Sequence, residues 1–260
     1  MNNSTIIHNN SLLDRLSVIN IQTPDNSTQH HSQTILIVLN NTLDELFHNL
    51  YSQSSIRIYC DGAANRVYHK YYSQHDGFKY KPDLLIGDFD SIEPEVLNYF
   101  QSIKTPIHND TSTDTTDLHK ALNYINHKYS NTIHEYTVVV YNIYGGRLDQ
   151  EIGCLHTLYQ YTSYYKQLIM LNQYNYTELL LAGKHIIQLN NNAQKINQHC
   201  GFWSLHGDVQ SVSTTGLLYN VTNQCIGFNG LISYCNVIDN NIVTIDTSDK
   251  IIWNTELVFK

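Results

Sequence analysis

A chain of 260 residues, 42% hydrophobic and only 15% charged, can bury one large core or two modest ones, and this composition excludes wholesale disorder. The formal charge is −8 and no lysine or arginine run occurs, which excludes a protein that holds nucleic acid by neutralising phosphates. No apolar run approaches the ~20 residues that cross a bilayer. Five scattered cysteines without C-x-x-C spacing fit a reduced compartment better than a disulfide framework or a zinc site.

The first ten residues have neither the basic stretch nor the apolar core of a secretory signal, so a cytoplasmic location is expected. Residues 1–32 read as a polar segment of uncertain order, with one short apolar patch at Leu12 and Leu13. Asparagine and tyrosine are plentiful, with 20 Tyr; this reads mostly as compositional drift in loops, where Asn tolerates turns.

From Thr34 a rhythm begins. "TILIVLN" is a strand-sized apolar run, and "TLDELFHNLY" after it has helical spacing. "IRIYC" and "DLLIG" are further strands, separated by the helix candidate "DGAANRVYHKYY". In "DTTDLHKALNYINHKY", Leu118, Ala121, Leu122 and Ile125 fall at i, i+3, i+4 and i+7, an amphipathic helix. "YTVVVYNI" is a β-branched strand, Arg147–Tyr161 has helical spacing, and "QLIMLN" closes the series. Strands alternating with helices predict an α/β domain over 33–178, a mainly parallel sheet flanked by helices. Ligands of such sheets lie beyond the carboxyl ends of the strands.

After about Glu178 the pattern turns to short β runs between Gly, Asn, Asp and Ser turns, beginning with "ELLLAGKHIIQLN", two strands around an Ala-Gly turn. An all-β sandwich domain over 179–260 is expected, with the boundary between Tyr174 and Lys184.

Four loops of the first domain follow strand candidates and would share one sheet edge. In "CDGAANRVY", Asp61 ends a strand, and Gly62 lets backbone approach a ligand before a helix begins; Asp61 as a simple helix cap is the competing reading. In "GDFD", Asp88 and Asp90 stand two apart, pointing to one side if the backbone stays extended. Either a turn with a cap at Asp90 or Ser91, or a hard cation such as Mg²⁺, accounts for them. In "DTSTDTTDLHKAL", Asp114 or Thr115 can cap, Asp117 lies in the first turn, and Lys120 is three residues on. In "YNIYGGRLDQEIG", Gly145 and Gly146 form a close-approach turn presenting Arg147, whose fork suits phosphate, with Asp149 to orient it or simply to pair with it. Together these describe a metal–polyphosphate site. No P-loop, G-x-G-x-x-G, nucleophile elbow or H-E-x-x-H occurs, and the 14 histidines lack ligand spacing.

These segments, "CDGAANR", "IGDFDSI", "TDLHKAL" and "GGRLDQ" in that order, resemble the thiamine pyrophosphokinase family, as does the C-terminal "VSTTGLLYNVTN…GF…LISYCN…VTIDTSDKIIW". The resemblance runs from about Ile35 to the end; Ala63 stands where glycine is usual, and "ISYCN" replaces a commoner "VSTSN". It implies attack of the thiamine hydroxyl on the β-phosphorus of ATP, transfer of the pyrophosphoryl group as a unit, and departure of AMP. It also implies a homodimer with the active site at the subunit interface. Asp61, Asp88, Asp90 and Asp117 would form the Mg²⁺ and phosphate constellation, with Asp88, Asp90 and Asp117 as metal ligands and Asp61 or Asp117 as the base. Arg147, Asp149 and Gln150 would lie near the nucleotide or reacting group, together with Gly62, Asn65, Thr116, Lys120, Gly145 and Gly146. Ser233, Asn236 and Trp253 would hold thiamine from the partner's β domain. Two other functions remain open: a different Mg²⁺-nucleotide transferase, and a non-catalytic nucleotide or thiamine binder.

Overall fold

The computed structural model describes residues 5–9, 33–72, 77–188 and 198–257; the polar segment expected over 1–32 lies outside them except at strand β1 (Ile6–Asn9). The chain divides between Gln173 and Tyr174 into two compact units, one carrying the described residues 33–173, the other β1 and the residues from 174 onward.

In the first unit, β2 (Thr34–Val38), β3 (Ile56–Cys60), β4 (Leu84–Gly87), β5 (Ile107–Asn109), β6 (Thr137–Tyr141) and β7 (Gln167–Leu171) form a parallel sheet in the order β7-β6-β2-β3-β4-β5. Helices α1 (Leu46–Gln53), α2 (Ala63–Tyr71), α3 (Pro94–Ser102), α4 (Asp117–Lys128) and α5 (Leu148–Tyr161) lie between the strands in sequence. A strand covered on both faces must be apolar throughout, and Ile35 to Val38 and Val138 to Tyr141 are fully buried. The three-residue edge strand β5 is too short to carry a periodic signal and was not anticipated. The sheet is built outward from β2, towards β3, β4 and β5 on one side and β6 and β7 on the other. Chains leaving β2 and β6 therefore diverge, which opens a crevice at the carboxyl edge.

Tyrosine does not behave as loop filler. The Phe47 ring packs 5.4–6.3 Å, centroid to centroid, from those of Tyr51, Tyr59, Tyr71, Tyr80 and Tyr141. Two of the buried or half-buried hydroxyls are satisfied by backbone: Tyr59 donates to the Tyr80 carbonyl and Tyr51 to that of Lys81, both at 2.7 Å.

The second unit is an all-β sandwich. Strands β8 (Asn175–Leu180), β15 (Ile251–Glu256), β10 (His199–Trp203) and β13 (Ser233–Val237) are antiparallel neighbours in that order. The other sheet runs β1-β9-β14-β11-β12, with β9 (Gly183–Gln188), β11 (Val209–Thr215), β12 (Gln224–Ile226) and β14 (Ile242–Thr247) antiparallel and β1 parallel to β9. The run "ELLLAGKHIIQLN" is two strands as expected, but β8 and β9 belong to different sheets. Gly183, at φ +136°, supplies the corner conformation that an L-residue resists.

Candidate active site

The carboxyl ends of β2, β3 and β6, with the starts of α4 and α5, surround a cavity of 570 Å³, within the size range of small-molecule sites. It lies at the reversal of strand order. Asn41 Nδ2 donates to the Tyr144 carbonyl at 2.8 Å, and Asn142 Nδ2 to that of Thr42 at 3.0 Å, so the two diverging loops brace each other.

Asp61 is not a helix cap. Gly62 occupies the cap position of α2, while Asp61 adopts φ +43° and accepts the Ser91 amide at 3.2 Å through Oδ2. Its Oδ1 is buried without a hydrogen-bond partner. Burial, reinforced by the charge of Asp117, pushes the Asp61 carboxyl up to about 6. Gly87, at φ +154°, lets β4 pass beside it: a Cβ there would stand 2.8 Å from that of Asp61.

The "GDFD" segment is a turn rather than extended chain. Phe89 takes φ +63°, and the Asp90 amide donates to Asp88 Oδ1 at 3.3 Å. The turn still converges the carboxylates: Asp61, Asp88 and Asp90 offer oxygens within 4.8 Å of one another. Neither Asp90 nor Ser91 caps α3; Glu93 does so by position, while Ser91 Oγ donates to Asp90 at 2.7 Å. Left-handed backbone at Asp61, Phe89 and Asn142, each just past a strand, concentrates strain at this edge.

Asp117 enters differently from the expected metal set of Asp88, Asp90 and Asp117. It opens α4, whose cap is Thr116 and not Asp114 or Thr115, with Thr116 accepting the His119 amide at 3.4 Å. Its Oδ1 lies 3.4 Å from Lys120 Nζ, which also meets Asp88 Oδ2 at 3.0 Å. Lys120 is almost fully buried, so its ammonium is an internal counter-charge. Burial alone would lower its pKa, but the Asp88 hydrogen bond and the Asp117 charge outweigh it and the net shift is upward. Asp88 is correspondingly held low by the Lys120 hydrogen bond, whereas burial raises Asp117 in spite of Lys120.

The glycine turn is already engaged. Glu151 Oε1 accepts the amides of Gly145 and Gly146 at 2.9 and 3.1 Å. Arg147 forks onto Asp149, one arm at 3.1 Å, and both side chains line the cavity in an exposed position with Gln150. The Asn65 amide clamps the loop before α3, donating to the Ser91 carbonyl at 2.8 Å and accepting the Glu93 amide at 3.0 Å.

Asn40, Asn41, Arg66 and Asn142, none of them singled out by the sequence, also line the cavity, as does Ser91, expected there only as a cap. Asn40 and Asn142 fall at the carboxyl ends of predicted strands and Asn41 follows one, a positional signal hidden by the asparagine-rich composition.

In the second unit, Ser233 and Asn236 sit together on β13, with Asn236 Nδ2 3.2 Å from Ser233 Oγ. Asn236 bonds both the amide and the carbonyl of Tyr219, so it fixes that loop. Trp253 is a correction. Its ring is fully buried in the core and offers no aromatic surface to a ligand. Alternation alone could not show this, because β15 is buried across Ile251, Ile252 and Trp253.

Two family models match the chain: "Thiamin pyrophosphokinase, catalytic domain" over residues 47–171 and "Thiamin pyrophosphokinase, vitamin B1 binding domain" over residues 184–252. The chain belongs to the thiamin pyrophosphokinase family. Among relatives in this family, thiamine pyrophosphokinase 1 of Oryza sativa subsp. japonica is 30% identical over 97% of this chain and 98% of its own. Thiamine pyrophosphokinase 2 of Arabidopsis thaliana is 30% identical over 85% of each. The solved thiamin pyrophosphokinases of yeast and Candida albicans share the fold, with TM-scores of 0.79 and 0.78 at 23% identity. The yeast structure covers 98% of this chain and 91% of its own, the Candida one 87% and 90%. Among the described residues, no helix is long and apolar enough to cross a membrane.

Proposed function

We propose that this chain transfers the pyrophosphoryl group of ATP to the thiamine hydroxyl, giving thiamine diphosphate and AMP, with Mg²⁺ held by Asp61, Asp88 and Asp90. One observation carries the reading: the three carboxylates converge within 4.8 Å, and one Asp61 oxygen is buried without a partner. Like charges so close raise each other's energy unless a cation offsets them, and an all-oxygen carboxylate set suits a hard divalent ion. The chemistry such an ion supplies is neutralisation of charge on phosphate oxygens.

The protein's own groups provide positioning, which is most of what phosphoryl-type transfer demands. Lys120 holds Asp88 and Asp117 at fixed separation before any ligand arrives. Asp117 lies beside the three-carboxylate cluster without belonging to it, and its raised pKa suits it to accept the hydroxyl proton. Arg147, Asp149 and Gln150 line the same cavity and are assigned to the nucleotide. The second unit is assigned to thiamine, Ser233 by contact and Asn236 through the loop it fixes. The working form is proposed to be a cytoplasmic homodimer.

Incubation with ATP, Mg²⁺ and thiamine, followed by chromatography, is expected to yield AMP and thiamine diphosphate together. AMP formed independently of thiamine points instead to another acceptor; tight binding without turnover points to a non-catalytic binder. Sedimentation velocity is expected to give the dimer mass.

A further inference from the structure

Two arginines line the cavity, and their charges are differently committed. Arg147 is forked onto Asp149 in an exposed ion pair, so its guanidinium already has an acidic partner. Arg66 donates Nε to the neutral Asn40 Oδ1 at 2.9 Å, and no acidic partner for it occurs among the described residues. Asn40 is itself wedged against the turn that carries Asp61, since a Cβ at Gly62 would collide with its amide. The Arg66 side chain is thereby tied to the backbone beside the carboxylates while keeping its charge. It also lines a second cavity of 330 Å³ with Thr42, Leu43, His69 and Lys70, where Lys70 donates to the Leu43 carbonyl at 2.9 Å. Positive charge is thus gathered on the α2 side of a site whose centre is strongly acidic.

A triphosphate with one bound divalent ion keeps net negative charge, and the acidic centre cannot accept that charge. An uncommitted, planar, permanently charged donor can. We propose that Arg66 is the residue that binds the phosphate chain of the nucleotide, with Asn40 as its positioning partner. The inference rests on the nucleotide reading of the cavity and moves phosphate recognition from Arg147 to Arg66.

Equilibrium titration with Mg²⁺-ATP tests it. Arg66→Ala is expected to weaken Mg²⁺-ATP binding by about 10- to 100-fold, the scale of a charge-assisted bond. The KM for ATP rises with it, while the KM for thiamine and the melting temperature stay near those of the unsubstituted protein. Arg66→Lys, which keeps the charge, recovers part of the loss; a merely structural role for Arg66 predicts no such recovery. Mg²⁺-ATP affinity within about twofold in Arg66→Ala, or a change confined to the thiamine KM, overturns the proposal. Should Arg66→Ala not fold, Arg66→Gln and Arg66→Lys decide in its place, the first expected to bind Mg²⁺-ATP more weakly than the second. Binding is read without turnover, so the two readings fail separately. Arg66-dependent binding with no thiamine diphosphate formed overturns the activity alone; normal turnover of the unsubstituted protein with Mg²⁺-ATP affinity unchanged in the Arg66 variants overturns this inference alone.

Discussion

Lys120 Nζ lies 3.0 Å from Asp88 Oδ2, with its side chain only 1% exposed, so a buried ammonium is the fixed neighbour of the acidic cluster. Removing one member of a buried pair leaves the others uncompensated, and the partial exposure of Asp88 and Asp117, 33% each, moderates the cost. Lys120→Met is expected to destabilise the metal-free protein by about 2 kcal/mol in urea unfolding. Millimolar Mg²⁺ should return part of that stability, because it replaces the lost positive charge; an unchanged midpoint would show that Lys120 is not the counter-charge.

Asp88→Asn keeps the shape of the turn and removes one charged oxygen from the three that converge. Turnover is expected to fall by at least about 100-fold, the scale of a lost electrostatic contact in a transition state. Mg²⁺-ATP binding should weaken while far-UV circular dichroism stays unchanged. Near-normal activity in this variant would remove Asp88 from the metal assignment.

The Asp61 carboxyl, raised to about 6, makes a signed prediction. Between its unfolded value near 3.8 and about 6 the folded protein binds more protons than the unfolded chain. Its stabilising share is therefore complete below pH 3.8 and lost as pH rises through 6. At pH 7 the charged, buried group costs on the order of 2 kcal/mol. Asp61→Asn should accordingly stabilise the metal-free protein at pH 7 and flatten its stability between pH 4 and about 6.5, while abolishing turnover. Loss of stability at pH 7 would contradict the burial argument.

Gly87 matters for two reasons, its φ of +154° and the 2.8 Å approach that a Cβ would make to Asp61. Gly87→Ala is expected to lower stability by about 1–3 kcal/mol. It should also lower activity out of proportion to that, because Asp61 must move. Equal activity per folded molecule, measured with urea unfolding as the reference, would exclude the second effect.

Much of the architecture was legible because periodicity reports burial. The apolar runs at Thr34–Val38 and Thr137–Tyr141 could only be strands covered on both faces, and the i, i+3, i+4 spacing of α4 could only be a one-sided helix. Caps were less legible. Asp61, Asp90, Ser91, Asp114 and Thr115 all qualify chemically, yet the chain uses Gly62, Glu93 and Thr116, because the carboxyl ends of the strands set where each helix can begin. Trp253 was misjudged for a similar reason: an aromatic at a strand position suits a core as well as a ligand, and only packing from both sides decides.

The sequence by itself determined the order α/β then all-β, the four acid- and glycine-bearing loops, and the edge of the sheet on which they meet, since each of these follows from local pattern and strand direction. Only the tertiary structure decided which carboxylates converge, which cation answers them and which arginine lacks an acidic partner. Those relations join residues far apart in the chain, such as Asp61 with Asp88 or Arg66 with Asn40, through left-handed turns at Asp61 and Phe89 that no local propensity announces. The physical reason is that a parallel sheet brings its loops together by strand order, and strand order is a global property of the fold.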